Sequence, residues 1–362
     1  MFRWRSRRLP HEDDSPTSID SLSDIELLDI IERIDLTRDR IDKQSGSFMA
    51  DSAPVFHLKE YPDIVFKSVL NTQRNEAYIM EYIRQRTRIL VPKIHRVIDD
   101  PKDKCYWMVM DYISGETLAS CWSRLSWWRR LQIAFTLRSY VKQLHATIVP
   151  HADVPGPFDG TGEALPCNGF QFQFHIPGPT FYTYQDLADW HDYQHFRAQA
   201  AIHMNGVAEI LQYAKFDTSE PLVLCHFDLH LANMIFDGQN RVWLIDWGYA
   251  GVYPRWFESI ALAAWASHSI DPLPRSFARY QGFIVGHYPW YFRQYIYPLM
   301  TYIDSFRYST IDGDYFEELG IDSALWHPSA LARPPLRQRM VRKILDVVYN
   351  ILSVPWNVFT TI

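Results

Sequence analysis

Two short patterns in the second half of the chain constrain it most. They are His226-Phe-Asp-Leu-His-Leu-Ala-Asn233 and Trp243-Leu-Ile-Asp-Trp-Gly248. Between them lie the apolar runs Asn233-Met-Ile-Phe236 and Val242-Trp-Leu-Ile245, separated by Asp237-Gly238. Asp-Gly between two apolar runs predicts a β-hairpin. A hairpin returns the chain to the end it started from, so Asn233 and Asp246 are expected at one end of it. Asp228, five positions before Asn233, is expected in the loop that leads in.

Upstream, Ala53 to Leu58 and Ile64 to Leu70 are apolar runs around Tyr61-Pro62-Asp63, a second hairpin signal. Asn75 to Arg88 reads as a helix. Val91 to Ile94 restarts an extended segment, and Cys105 to Met110 is an apolar strand ending at Asp111-Tyr112. This order suits a small sheet with one packed helix. Ile113 to Leu118 reads as a linker. Beyond it Ala134, Leu137, Val141 and Leu144 share one helical face. Residues 149–179 are rich in Pro and Gly and read as an irregular loop, Asp186 to about Lys215 as helix, Leu222 to Cys225 as a short strand, and the chain from about Trp256 as helical. Near the start, residues 1 to about 18 read as a tail. From Asp20 to about Ile41 a helix is expected, capped by Ser23 and burying Ile25, Leu28, Ile31 or Ile30, and Ile34.

Composition excludes several classes. A net charge of -6 argues against a broad nucleic-acid surface. No stretch nears the ~18 consecutive apolar residues of a membrane span. The four cysteines form no C-x-x-C pair and are too few to scaffold 362 residues by disulfides, which suits a reducing compartment, the cytoplasm. The basic start, Met1 to Arg8, runs into Pro10 and Glu12-Asp13-Asp14 and not into an apolar run, so a secretory leader is not expected; an Arg cluster also permits a nuclear-import reading. Aromatic residues make up 15% of the chain and are assigned to packing.

The residue types fit phosphoryl transfer. A γ-phosphoryl group is densely anionic, and a hard carboxylate such as Asp246 suits Mg²⁺. Asn233 offers a neutral amide oxygen, and Asp228 a carboxylate to take or orient the proton of an attacking hydroxyl. Lys67, in the second strand, suits a contact to nucleotide phosphates. Glu76, or else Glu81, in the following helix would hold that lysine. The run Met108 to Ile113 would pair with adenine through backbone groups, which marks Met110 and Tyr112. Ser45-Gly46-Ser47 is the one candidate phosphate loop. A different chemistry is also open: His226, Asp228 and His230 alternate, and on a strand they would face one side as ligands of a metallohydrolase. Glu258, near a helix start, reads as a partner of the helix dipole.

Together these segments resemble the aminoglycoside phosphotransferase family of the protein-kinase-like superfamily. The matching stretches are Val65-Phe-Lys67, Asn75-Glu-Ala77, Val91-Pro-Lys93, Met108 to Tyr112, Gly115 to Leu118, His226 to Asn233 and Leu244 to Trp247, over roughly residues 50 to 260. Gly156-Pro-Phe158 and Cys-His-x-Asp-Leu-His look like the family's fungal branch. The resemblance implies an α+β, two-lobed protein-kinase-like fold. Residues 1–45 would be a tail and helical arm, 46–112 a small β-sheet N-lobe with one main helix that binds nucleotide, and 113–362 a larger, mostly helical C-lobe. It implies ATP and Mg²⁺, Asp228 as catalytic base, Asn233 and Asp246 as metal ligands, Lys67 as phosphate contact, and a small-molecule hydroxyl acceptor. The alternative is a nucleotide-binding scaffold without turnover. Two positions depart from the family: Phe227 stands where Gly is frequent, and Leu231 where Pro is. Asp304, Asp312, Asp314, Glu317, Glu318 and Asp322 would line a site for an amino-bearing acceptor, or form a solvated face.

Overall fold

The N-terminal arm begins with a 3-10 turn, Ser18–Ser21, and a helix, α1 (Asp24–Ile31). Ser23 caps α1 as expected: its side chain accepts from the Glu26 N–H, and the Glu26 carboxylate reaches back to Ser23 in a capping box. The helix is shorter than the sequence suggests. Asp35 ends any continuation by taking the N–H groups of Thr37 and Arg38 on its side chain. The buried face is Leu27, Ile31 and Ile34, whereas Ile25 is 74% exposed. The structure, a computed structural model, describes residues 18–41, 53–70, 75–100, 105–169, 172, 178–204, 215–268, 274–291, 294, 295 and 340. The expected phosphate loop at Ser45-Gly46-Ser47 and the acidic run from Asp304 to Asp322 lie outside them.

The described chain falls into two compact units. The first joins the arm to β1 (Val55–His57), β2 (Ile64–Leu70), β3 (Ile94–Asp99) and β4 (Cys105–Asp111). They form an antiparallel sheet in the order β1-β2-β4-β3. Its core joins Phe56, Phe66, Trp107 and Val109 to Ile19, Leu27, Ile31 and Ile34 of the arm. The arm thus covers sheet surface that alternation leaves apolar.

The second unit holds α2 (Asn75–Arg86), β5 (Gly115–Thr117), α3 (Leu118–Cys121), α4 (Trp127–Ala146), α5 (Tyr184–Met204), β6 (Leu222–Cys225), β7 (Met234–Asp237), β8 (Val242–Leu244), β9 (Gly251–Pro254), α6 (Phe257–His268) and α7 (Arg275–Val285). In α4 the expected face is buried at all four positions, Ala134, Leu137, Val141 and Leu144. The expected linker after Tyr112 instead contains β5, which pairs with β7, giving the sheet β5-β7-β8. Strands β6 and β9 pair separately. Much of the aromatic content packs here, with Phe172, Phe216, Phe227, Tyr253, Trp256 and Phe257 in one cluster.

The β7–β8 hairpin forms, but its turn works differently from the Asp-Gly reading. Gly238 is not in the left-handed region; Asn240 is, at φ 65°. The Asp237 carboxylate accepts from the N–H groups of Gln239 and Arg241, and from the Arg241 and Trp243 side chains. These contacts outweigh the opposing effect of burial and lower the Asp237 pKa. The Asn240 N–H also donates to the Asp237 carbonyl at 3.0 Å, so backbone and side chain of aspartate close the turn together, and aspartate is its organising residue.

Candidate active site

The segment between β6 and β7 is a loop and not a strand, so the alternation of His226, Asp228 and His230 does not place them on one face. Both ring nitrogens of His226 are used. Its Nε2–H donates to the Ile245 carbonyl at 3.1 Å, and Nδ1 accepts from the Asp228 N–H at 3.3 Å. Burial pushes its pKa down to about 4, although the charges of Asp228 and Asp246 pull the other way. The ring is neutral near pH 7, and ties the loop to the residue before Asp246. The metallohydrolase ligand set loses its geometric basis, because the three residues do not share a strand face and both ring nitrogens of His226 are engaged.

Asp228 and Asn233 meet directly. The Asn233 Nδ2 donates to the Asp228 carboxylate at 2.8 Å and to its carbonyl at 3.1 Å. Both residues are 6% exposed. The amide nitrogen is thereby committed, and the amide oxygen is the atom that can serve a cation. Asn233 also accepts at its carbonyl from the Ile245 N–H, 3.1 Å, which fastens it beside Asp246. His230 caps the turn Leu231–Asn233 through Nδ1, and its Nε2 lies 3.7 Å from the Asp228 carboxylate.

Phe227 and Asp246 both hold the left-handed backbone, at φ 64° and 63°. This explains why glycine suits position 227: glycine enters that region without the steric cost of a Cβ. Phenylalanine is held there by packing. Its ring is 1% exposed and lies 4.7 Å from Tyr253 and 5.6 Å from Phe257. Leu231 opens the 3-10 turn, where a proline ring is also compatible, and its side chain is buried.

Glu258 does more than partner a helix dipole. Fully buried at the start of α6, it accepts the His226 N–H on Oε2 at 2.8 Å and the Phe227 N–H on Oε1 at 3.0 Å. Burial raises its pKa to about 7 against the pull of those two N–H groups. Glu258 is the base on which the loop rests. Nothing in the sequence separates it from any acid in a first helical turn, since its partners lie 31 and 32 positions away.

Glu76 and Glu81 are distinguished by their surroundings. Glu76 is 1% exposed, and its Oε1 accepts the Trp247 N–H at 3.1 Å. Glu81 is taken up within α2 by Arg84 and Gln85. Asp228, Asn233, Asp246 and Glu76 thus belong to one unit and are linked by backbone bonds. Lys67, Met110 and Tyr112 belong to the sheet unit. Lys67 is buried on β2 opposite Val55 and Met108. Met110, also buried, pairs with Val65 and Ile94. The Tyr112 N–H donates to the Asp63 carbonyl at 2.7 Å, and its ring stacks on His57.

An α+β chain with this loop, this hairpin and a carboxylate following it is of the kinase-like phosphotransferase class. It belongs to the phosphotransferase enzyme family, whose model matches residues 59–291, more than half of the chain. Similar solved structures include the streptomycin–ATP ternary complex of APH(2″)-IIa, at 15% identity and TM-score 0.46, covering 84% of this chain and 99% of that one. A ternary complex of APH(4)-Ia with AMP-PNP and hygromycin B is 14% identical, TM-score 0.45, covering 91% and 98%. A putative aminoglycoside phosphotransferase from Ralstonia eutropha is 16% identical, TM-score 0.43, covering 78% and 89%. No curated protein matches the sequence.

Proposed function

We propose that the protein transfers the γ-phosphoryl group of ATP to a hydroxyl of a small molecule in the cytoplasm. The observation that carries this reading is the bonding of Asn233, whose amide nitrogen is committed to Asp228 while its oxygen remains for a cation. In this reading Asp228 accepts the proton of the acceptor hydroxyl. A bond forms between the acceptor oxygen and the γ-phosphorus. The bond from that phosphorus to the oxygen it shares with the β-phosphate breaks, and ADP leaves. Asn233 holds the Asp228 carboxylate in orientation. Asn233 and Asp246 would hold Mg²⁺, which neutralises phosphate charge when bound. The donor set of one amide and one carboxylate oxygen fits that hard cation. Lys67 would contact phosphate, with Glu76 supporting it, and the backbone at Met110 and Tyr112 would face adenine. Residues 46–112 form the nucleotide lobe and 113–362 the lobe for catalysis and acceptor.

Thermal unfolding with Mg-ATP tests the nucleotide site. A ligand confined to the folded state adds about 2.7 kcal/mol at a hundredfold excess over its Kd. The wild type is expected to shift upward and Asp246→Ala to lose the shift while folding normally. No shift in the wild type at millimolar ATP would remove the reading. Asp228→Asn is expected to keep the shift and abolish turnover; a wild type that binds without turning over any acceptor is a scaffold.

A further inference from the structure

The loop that leaves α4 reaches two distant parts of the second unit within three residues. Gly156 forms a two-bond bridge with Val252 of β9: its N–H donates to the Val252 carbonyl at 2.9 Å, and its carbonyl accepts the Val252 N–H at 2.8 Å. The approach is close enough that a Cβ on Gly251 would stand 2.5 Å from the Gly156 oxygen, so glycine is required there. Two residues on, the Phe158 ring stands edge-on to two tyrosines of α2, 5.9 Å from Tyr78 and 5.4 Å from Tyr82. Around this contact, the Tyr82 hydroxyl donates to the Ile148 carbonyl at 2.6 Å, and the Arg86 guanidinium lies 3.8 Å over the Tyr82 ring.

These contacts close a ring. From Phe158 the path runs into α2, along it to Glu76, across to the Trp247 N–H, forward to β9 and back through Val252 to Gly156. Asp246 is the residue next to the bond that Glu76 makes. We infer that Gly156-Pro157-Phe158 is a positioning brace: it fixes the rotation of α2, and with it the carboxylate that holds the backbone after Asp246. Phe158 is a positioning residue, acting through its ring contacts with Tyr78 and Tyr82. The inference rests on the phosphotransferase reading for its catalytic consequence, but not for its structural one.

The test is hydrogen exchange together with steady-state kinetics on Phe158→Ala, Phe158→Tyr and the wild type. In Phe158→Ala, amides of 75–86 and the Trp247 amide are expected to lose protection, although Trp247 lies on the far side of the ring. Small misplacements far from the chemistry can cost about a hundredfold, so kcat with Mg-ATP is expected to fall by about ten- to a hundredfold. KM for the acceptor is expected to stay unchanged. Phe158→Tyr retains the edge-on ring and is expected to restore both readouts. Unchanged protection at Trp247 in a Phe158→Ala protein that folds overturns the brace. So does lost protection with unaltered kcat, which would make Phe158 a packing residue alone. Should the wild type itself show no nucleotide-dependent turnover, the phosphotransferase reading fails, and exchange at Trp247 still decides whether the brace exists.

Discussion

At Phe227 two opposing terms have comparable size. The left-handed backbone costs an L-residue about 1–2 kcal/mol, and truncating a buried phenylalanine costs about 3–5 kcal/mol. Packing wins, so Phe227→Gly is expected to lower the free energy of unfolding by about 2 kcal/mol in urea titration, even though glycine relieves the backbone. Glu258 allows a pH argument. Its folded pKa of about 7 exceeds the ordinary 4.5, so folding favours the protonated form. That contribution is fully present below pH 4.5 and is lost as the pH rises through about 7. Turnover should run the other way, because the carboxylate accepts both loop N–H groups. Melting temperature is thus expected to fall, and kcat to rise, across this window, and Glu258→Gln should flatten both trends. That Asn233 and the residue before Asp246 come together was legible, because a hairpin returns the chain to the end it started from. The strain at Phe227 and the role of Glu258 were not, because a dihedral angle and a partner 32 positions away leave no local pattern.

Among the elements, α4 and α1 show when periodicity suffices. Helix α4 spans 20 residues, and its apolar stripe has one solution. Helix α1 has eight residues, and its isoleucines and leucines do not fall on one narrow stripe, so the sheet beneath it chose Leu27 and left Ile25 in water. The arm is also clamped by charge. His95 on β3 reaches Asp20 with Nδ1 at 2.9 Å and Asp111 with Nε2 at 2.7 Å. Burial lowers its pKa, but the two carboxylates outweigh it and the net shift is upward from 6.5. The clamp is therefore complete below pH 6.5 and is lost as the pH rises through the raised value. Exchange protection over 18–31 is expected to decline above that pH, and His95→Gln should remove the dependence. In the β7–β8 turn, Gly238 needs no glycine conformation and has open space where a Cβ would stand. Gly238→Ala is expected to stabilise the protein by about 0.4–1 kcal/mol in thermal unfolding, by restricting the unfolded chain.

Over the whole molecule, the sequence reading placed strands and helices well but could not say which elements cohere. Helix α2 follows β2 in the chain and groups by its contacts with the larger unit. Periodicity shows that a helix has a buried face and says nothing of what covers it. Among the described residues no helix is long and apolar enough to cross a membrane. None of the four cysteines is in a disulfide, and they differ sharply in access: Cys121, Cys167 and Cys225 are buried, and Cys105 at the head of β4 is half-buried. Burial raises the Cys167 thiol to about 12 and the Cys225 thiol well above its usual value, which withholds the reactive thiolate. A maleimide should therefore add one dye to the native protein and three more on denaturation. The chain comes with its own single attachment point for a fluorophore, at the end of an inner strand of the sheet that carries Lys67, and needs no cysteine removed to use it.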